Sequence, residues 1–330
     1  MANVDVGPIA SSATEIGAKI MREWRRWRRR PLVRAFLATP RAMFAALLLA
    51  LFAIVSVGAP WLAPHTPFDP ATVSLIDSMT PPAWLADGSW TYPLGTDDQG
   101  RDILSTLMYG SRVSLLVGLA AVLLAMTVEI TVGLLAGYVG GWFESVTMRI
   151  VDIQLTVPSI LLALMIDGVA RVMAPREIHH NLAIYTIILA IGAANWPSFA
   201  RVARSRAMVE KNKEYVQAAR IIGVSHLSIV LRHILPNAMA PMLVIATIDL
   251  GLAVLAEAAL SFLGVGMPPT QPSLGTLIRI GGNFLFSGNW WVFVMPAVTL
   301  VLFVLSVNLL GDWLRDSLNP RLHRAGIKLA

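Results

Sequence analysis

The sequence predicts an all-α integral membrane protein with six transmembrane helices and both termini in the cytoplasm. Of its 330 residues, 56% are hydrophobic and only 14% are charged, and the charged share is about half that of an average soluble domain. Six apolar stretches reach the roughly 20 residues that a helix needs to cross a bilayer. Lys and Arg concentrate in alternate loops. Together these features exclude a soluble globular enzyme.

The six predicted spans are apolar around their whole circumference, as is typical of helices that contact lipid. They cover approximately residues 42–63, 113–137, 150–170, 182–200, 238–263 and 290–311. The third is the most polar, because Asp152, Gln154 and Asp167 interrupt it. The predicted organisation is a cytoplasmic basic segment (1–41), the first span (42–63), an extracytoplasmic loop (64–112), a five-helix core (113–311) and a cytoplasmic tail (312–330).

The distribution of Lys and Arg predicts the orientation. Of the 26 basic residues, 21 lie on the side of the two termini and five on the other side, and the richer side is expected to face the cytoplasm. Residues 22–34 contain seven arginines and two tryptophans. We expect them to contact anionic lipid headgroups rather than nucleic acid, since no fold presents them. The long loop 64–111 is expected to form a small cap or to contact a soluble partner.

Motifs for catalysis or cofactor binding are missing from the sequence. It contains no Cys, no G-x-x-x-x-G-K-[ST], no H-E-x-x-H and no G-x-S-x-G. These absences argue against a P-loop nucleotide site, a thiolate or zinc-protease site and a hydrolase nucleophile. His226 and His233 share a helical face but lack a third ligand. We therefore predict no catalytic residue, no metal and no cofactor bound by this chain.

The most distinctive segment is the cytoplasmic loop 201–237. Its pattern predicts a helix over 204–222, a left-handed turn at Gly223 and a second helix capped by Ser225 and closed by Pro236. The apolar face of the second helix would comprise Leu227, Val230, Leu231 and Ile234. An apolar face outside the bilayer requires a partner.

This loop resembles the EAA motif of ABC importer permeases. Gln217-Ala218-Ala219, Gly223 and His233-Ile234-Leu235-Pro236 follow the pattern E-A-A, three residues, G, nine residues, I-x-L-P. Gln217 and His233 depart from its general form. Four further stretches, 94–102, 140–152, 257–264 and 308–321, are similar to the dipeptide/oligopeptide/nickel subfamily of these permeases, and in particular to its C-type subunit.

The resemblance implies a type I, MetI-like permease in the bacterial inner membrane. Such a chain forms half of a pore with a second homologous permease, as a heterodimer. One or two P-loop ATPases, which use ATP and Mg, would dock beneath it, and an extracytoplasmic solute-binding protein would deliver the substrate. The expected substrates are dipeptides or oligopeptides, with nickel or another small solute as the alternative. The resemblance implies that this loop couples the chain to the ATPases through Glu214, Gln217, Ala218, Ala219 and Gly223, with Leu235 and Pro236 setting the exit of its helix.

Acidic residues within the spans are further candidates, because a charge in the bilayer is costly. Asp152 would line the translocation path or pair with Arg149 near the inner interface. Asp249 and Glu257 are eight residues apart, so they would share one helical face. They would line the substrate path or bond to the partner subunit. Gly133, Gly137 and Gly141 repeat every fourth residue, a spacing that favours close helix packing.

Three rival interpretations fit the sequence less well. A self-sufficient secondary transporter would require internal repeats or broken helices at the membrane midplane, and the two halves of the chain show no convincing repeat. A membrane-embedded enzyme would require a nucleophile and a base paired within one span. A simple anchor would leave the helix–Gly–helix loop unexplained.

Overall fold

The computed structural model describes residues 35–69, 73–173 and 179–318. The predicted basic segment 22–34 and the end of the tail lie outside these residues. Up to residue 173 the chain forms α1 (Pro40–Leu62), α2 (Ile103–Val139), α3 (Gly141–Leu155) and α4 (Ser159–Met173). It continues through α5 (His179–Lys211), α6 (Glu214–Ile221), α7 (His226–Ile229), α8 (Leu235–Phe262), α9 (Leu274–Gly282) and α10 (Trp291–Leu318).

Within the described residues, five helices are long and apolar enough to cross a membrane, and they match five of the predicted spans. These are α1, α2, α5 from Leu182, α8 from Pro241 and α10 to Ser317. The helix α2 begins ten residues before the predicted span, because the Asp102 side chain accepts hydrogen bonds from the backbone N–H groups of Leu104 and Ser105. The cap starts a helix in a segment that is not yet continuously apolar.

The third predicted span is not one helix. The structure divides it into α3 and α4, which meet at an angle of 91°. The break falls at residues 156–158, where Pro158 lacks a backbone N–H and disfavours helical backbone at Val157. The prediction of a continuous helix over 150–170 was therefore wrong, although the bent pair together has the length and composition of a span.

Small residues bring α2 and α5 into close contact along their length. A Cβ atom added to Gly133 would lie 2.6 Å from the carbonyl oxygen of Ala200, and one added to Gly137 would lie 2.5 Å from that of Arg204. Gly141 differs from the other two glycines of the repeat. No atom lies within 4 Å of its Cβ position and its φ is +61°, so it turns the chain between α2 and α3 and does not pack two helices together.

The loop between α1 and α2 folds as a small cap over one end of the helices. The Asp97 side chain stabilises the turn at residues 97–101. It accepts hydrogen bonds from the backbone N–H groups of Gln99 and Arg101 and from Arg101 Nε at 2.6 Å. Trp291, at the start of α10, donates its indole N–H to the carbonyl of Thr96. This cap end also holds α9, whereas the loop 201–237 with its seven Lys and Arg residues lies at the opposite, basic end.

Candidate functional site

The helix predicted over 204–222 is interrupted at Asn212 and Lys213. The helix α5 ends at Lys211 and α6 begins at Glu214, after a residue with extended backbone. The Asn212 side chain donates to the carbonyl of Met208, and the Gln217 side chain donates to the carbonyl of Asn212. Such local side-chain bonds compete with the helical pattern, and helical periodicity in the sequence did not reveal them.

Gly223 adopts the left-handed conformation that its position predicted, with φ +83°. The turn is closed by hydrogen bonds from the N–H of Ile222 to the carbonyl of Ala218 and from the N–H of Val224 to that of Ala219. Ala219 is buried, whereas Gln217 and Ala218 are exposed. The predicted EAA residues thus form an exposed corner whose inner side packs onto the helices.

The second helix begins as predicted but does not end as predicted. The Ser225 side chain accepts a hydrogen bond from the N–H of Ser228 and caps α7. The helix α7 then continues through a π turn, Val230–Ile234, directly into α8. Pro236 lies in the first turn of α8, where a missing N–H is tolerated, so the prediction that it closes the preceding helix was wrong.

The π turn also divides the apolar face that was predicted for this helix. Val230 and Ile234 are buried, but two leucines of that face are exposed, as are Ile221 at the end of α6 and Ile222 directly after it. The exposed fractions are 86% for Ile221, 77% for Ile222, 68% for Leu227 and 51% for Leu231. We call these four residues the apolar corner. They lie at the basic end, outside the apolar spans.

Two tyrosines that the sequence analysis did not single out attach this corner to the helices. The Tyr215 hydroxyl donates to the carboxylate of Glu210 and accepts from Asn237 Nδ2 at 3.1 Å, which ties α6 to α5 and α8. Burial and the bond to Glu210 raise the pKa of Tyr215 to about 12, so it remains a neutral donor at physiological pH. The Tyr138 hydroxyl lies 2.6 Å from His226 Nδ1 and joins α2 to α7.

The three predicted membrane acids occupy different surroundings. Asp152 pairs with Arg201 Nη2 at 2.5 Å, not with Arg149, and both members of the pair are about half exposed. Asp249 of α8 is partly buried.

Glu257 lies inside the chain. Its side chain is 0% exposed, and its two carboxylate oxygens accept hydrogen bonds from Ser114 Oγ at 2.8 Å and Ser261 Oγ at 2.7 Å. These bonds explain how a carboxylate is accommodated in an apolar core. Glu257 is therefore fully buried, whereas Asp249 is partly exposed.

The sequence of this chain matches a known family and named relatives. Residues 129–324 match the family described as binding-protein-dependent transport system inner membrane component. The di/tripeptide transport system permease DppC of Pseudomonas aeruginosa is 37% identical over 284 residues, which are 86% of this chain and 89% of that protein. The dipeptide permease DppC of Escherichia coli K12 is 38% identical over 268 residues, covering 81% of this chain and 85% of that protein.

Solved structures show the same fold. Two crystal forms of the inward-facing MetNI methionine ABC transporter align with TM-scores of 0.51 and 0.50 and sequence identities of 20% and 26%. The alignments cover 65% and 66% of this chain and 97% and 98% of the MetNI chain.

Proposed function

Because the chain belongs to the family of binding-protein-dependent transport system inner membrane components, we propose that it forms half of the pore of an ABC importer for dipeptides or short peptides. The peptide substrate rests on the two DppC relatives, which are named as di/tripeptide and dipeptide transport permeases. The chain is a multi-pass protein of the bacterial inner membrane. Nickel or another small solute is the alternative substrate.

The remaining subunits are those expected of an importer of this family. A second homologous permease would complete the pore, and P-loop ATPases would bind and hydrolyse ATP with Mg, since this sequence has no P-loop. An extracytoplasmic solute-binding protein would deliver the peptide at the cap end. The side bearing 21 of the 26 basic residues would face the cytoplasm.

The apolar corner is the observation that carries this proposal. Four large apolar side chains are exposed together outside the spans, and a patch of this kind on a folded protein marks a contact with another protein. The surrounding Arg220 and Arg232 are also exposed and would form the polar rim of that contact. An ATPase groove with an apolar floor and acidic edges would fit this surface.

The connections of the corner suggest how its movement reaches the membrane. The helix α7 is continuous with α8 through the π turn, and Tyr215 bonds α6 to both α5 and α8. A push on the corner would therefore move two spans together and would not be absorbed by a flexible loop. Such rigid-body movement is the physical basis of alternating access.

Charge introduced into the apolar corner tests the proposal. We expect Ile221→Glu and Leu227→Glu to prevent recovery of the ATPases with the tagged chain and to abolish ATP-dependent dipeptide uptake. Ile76→Glu is the matched control, because Ile76 is 96% exposed at the cap end and should leave ATPase recovery unchanged. Recovery of the ATPases with both corner variants at wild-type levels would overturn the proposal.

A further inference from the structure

The Glu257 carboxylate links several elements at the cap end of the helices. Ser114 and Ser261 both donate to Glu257, and each of these hydroxyls also accepts a backbone N–H. Ser114 accepts from Leu274 at 3.2 Å, at the start of α9. Ser261 accepts from Met267 at 3.2 Å, in the loop that follows α8. Glu257 therefore fixes α2, α8, α9 and the loop 264–273 as one unit.

Gly266 brings that loop tightly against α8. A Cβ atom there would lie 2.4 Å from Ser261 Oγ and 2.7 Å from Ser261 Cα. The carbonyl of Gly266 accepts a hydrogen bond from Arg171 Nη2 at 2.5 Å. The loop thus offers a fixed acceptor to a residue of α4.

Arg171 connects α4 to this fixed unit. Its Nε donates to Asp167 Oδ2 at 2.6 Å, one helical turn earlier. Asp167 is 0% exposed, whereas the Arg171 side chain is 40% exposed. The ion pair holds the guanidinium in the direction of Gly266, and its partial exposure leaves the contact within reach of water.

The chain bends sharply at the other end of α4. The helix meets α3 at 91° across residues 156–158, and it packs chiefly against α5 and only lightly against α8. A short helix with a bend at one end and a polar attachment at the other has the arrangement of a gate.

We propose that Arg171 is the latch of a gate at the cap-end mouth of the pore. It holds α4 against the loop anchored by Glu257, and its release lets α4 swing on the 156–158 hinge so that substrate can enter. The proposal rests on the importer function given above. The Asp167 carboxylate positions the Arg171 guanidinium, and the Gly266 carbonyl accepts the hydrogen bond that holds it.

The chain contains no cysteine, so one introduced thiol reports opening of the gate. Met267 is 3% exposed and follows Gly266 in the loop. In spheroplasts, we expect Met267→Cys to react slowly with a membrane-impermeant maleimide. Adding Arg171→Gln should accelerate labelling about tenfold, since the loss of charge-assisted hydrogen bonds shifts the open population by about that factor. Arg171→Lys, which can still pair with Asp167, should fall between the two.

Two controls keep the test decisive. Arg201→Gln removes an ion pair of similar length from the basic end and should leave labelling unchanged. If Arg171→Gln reaches the membrane poorly because Asp167 is left buried and unpaired, the double variant Asp167→Asn/Arg171→Gln removes both charges and should label fast. Labelling of these Arg171 variants at the rate of Met267→Cys alone, or equal acceleration by Arg201→Gln, would overturn the proposal that Arg171 holds α4 in place. Dipeptide uptake by cells carrying the unaltered chain reports separately on the importer function.

Discussion

The contact between α2 and α5 allows a stability prediction of known size. In Gly133→Ala, the new Cβ would lie 2.6 Å from the carbonyl oxygen of Ala200 and 2.6 Å from Ala203 Cβ. Ordinary contacts between carbon atoms begin near 3.5 Å, so the helices must separate by close to an ångström. Overpacking of this kind costs about 1–3 kcal/mol. The helix propensity that Ala gains over Gly offsets at most about 1 kcal/mol of it.

Gly168→Ala is the matched control for this substitution. Gly168 lies within α4, and apart from the neighbouring backbone of its own helix no atom of the described residues lies within 4 Å of its Cβ position, so the same chemical change should be neutral or stabilising. We would measure thermal unfolding of the purified complex in detergent, together with the amount of each variant in the membrane. The reasoning predicts a clear loss for Gly133→Ala alone. Equal melting temperatures for the two variants would refute the close packing of α2 and α5.

Three further predictions concern the basic end and the cap. Gly223→Val should uncouple ATP hydrolysis from uptake, because Val tolerates φ +83° poorly, whereas Gly223→Asn should retain both activities. Tyr215→Phe removes the bonds to Glu210 and Asn237 and should lower uptake more than ATP hydrolysis; unchanged uptake would contradict this. Burial and the neighbouring Asp97 raise the pKa of Asp98 above its usual 3.8, so the stability owed to this group falls as pH rises through the raised pKa. Asp98→Asn should therefore raise the melting temperature at pH 7 but not below pH 3.8, as thermal scans at both pH values would show.

Local features of the fold could be predicted from the sequence. The spans follow from apolar length, which depends on the bilayer and not on tertiary contacts. The turn at Gly223 and the cap at Ser225 follow from backbone and side-chain chemistry within a few residues. The break at Pro158 also follows from local backbone chemistry, but the apolar residues around it favoured the prediction of one continuous helix.

Contacts between distant segments could not be predicted in this way. Ser114 and Glu257 are 143 residues apart, and helical periodicity on α8 cannot identify which span faces a given carboxylate. Asp152 has Arg149 three residues away, yet it pairs with Arg201 because α3 packs against α5. The sequence therefore indicated which acids are exceptional, and the three-dimensional packing determined what each one contacts.

The central claim is that this chain is one half of an ATP-driven pore. It is tested most directly by purifying the tagged chain from native membranes in mild detergent and identifying its partners by mass spectrometry. We expect to recover a second, homologous six-span permease together with one or two P-loop ATPases. Recovery of the chain alone or as a homodimer, repeated in several detergents, would contradict it and would favour a self-sufficient transporter.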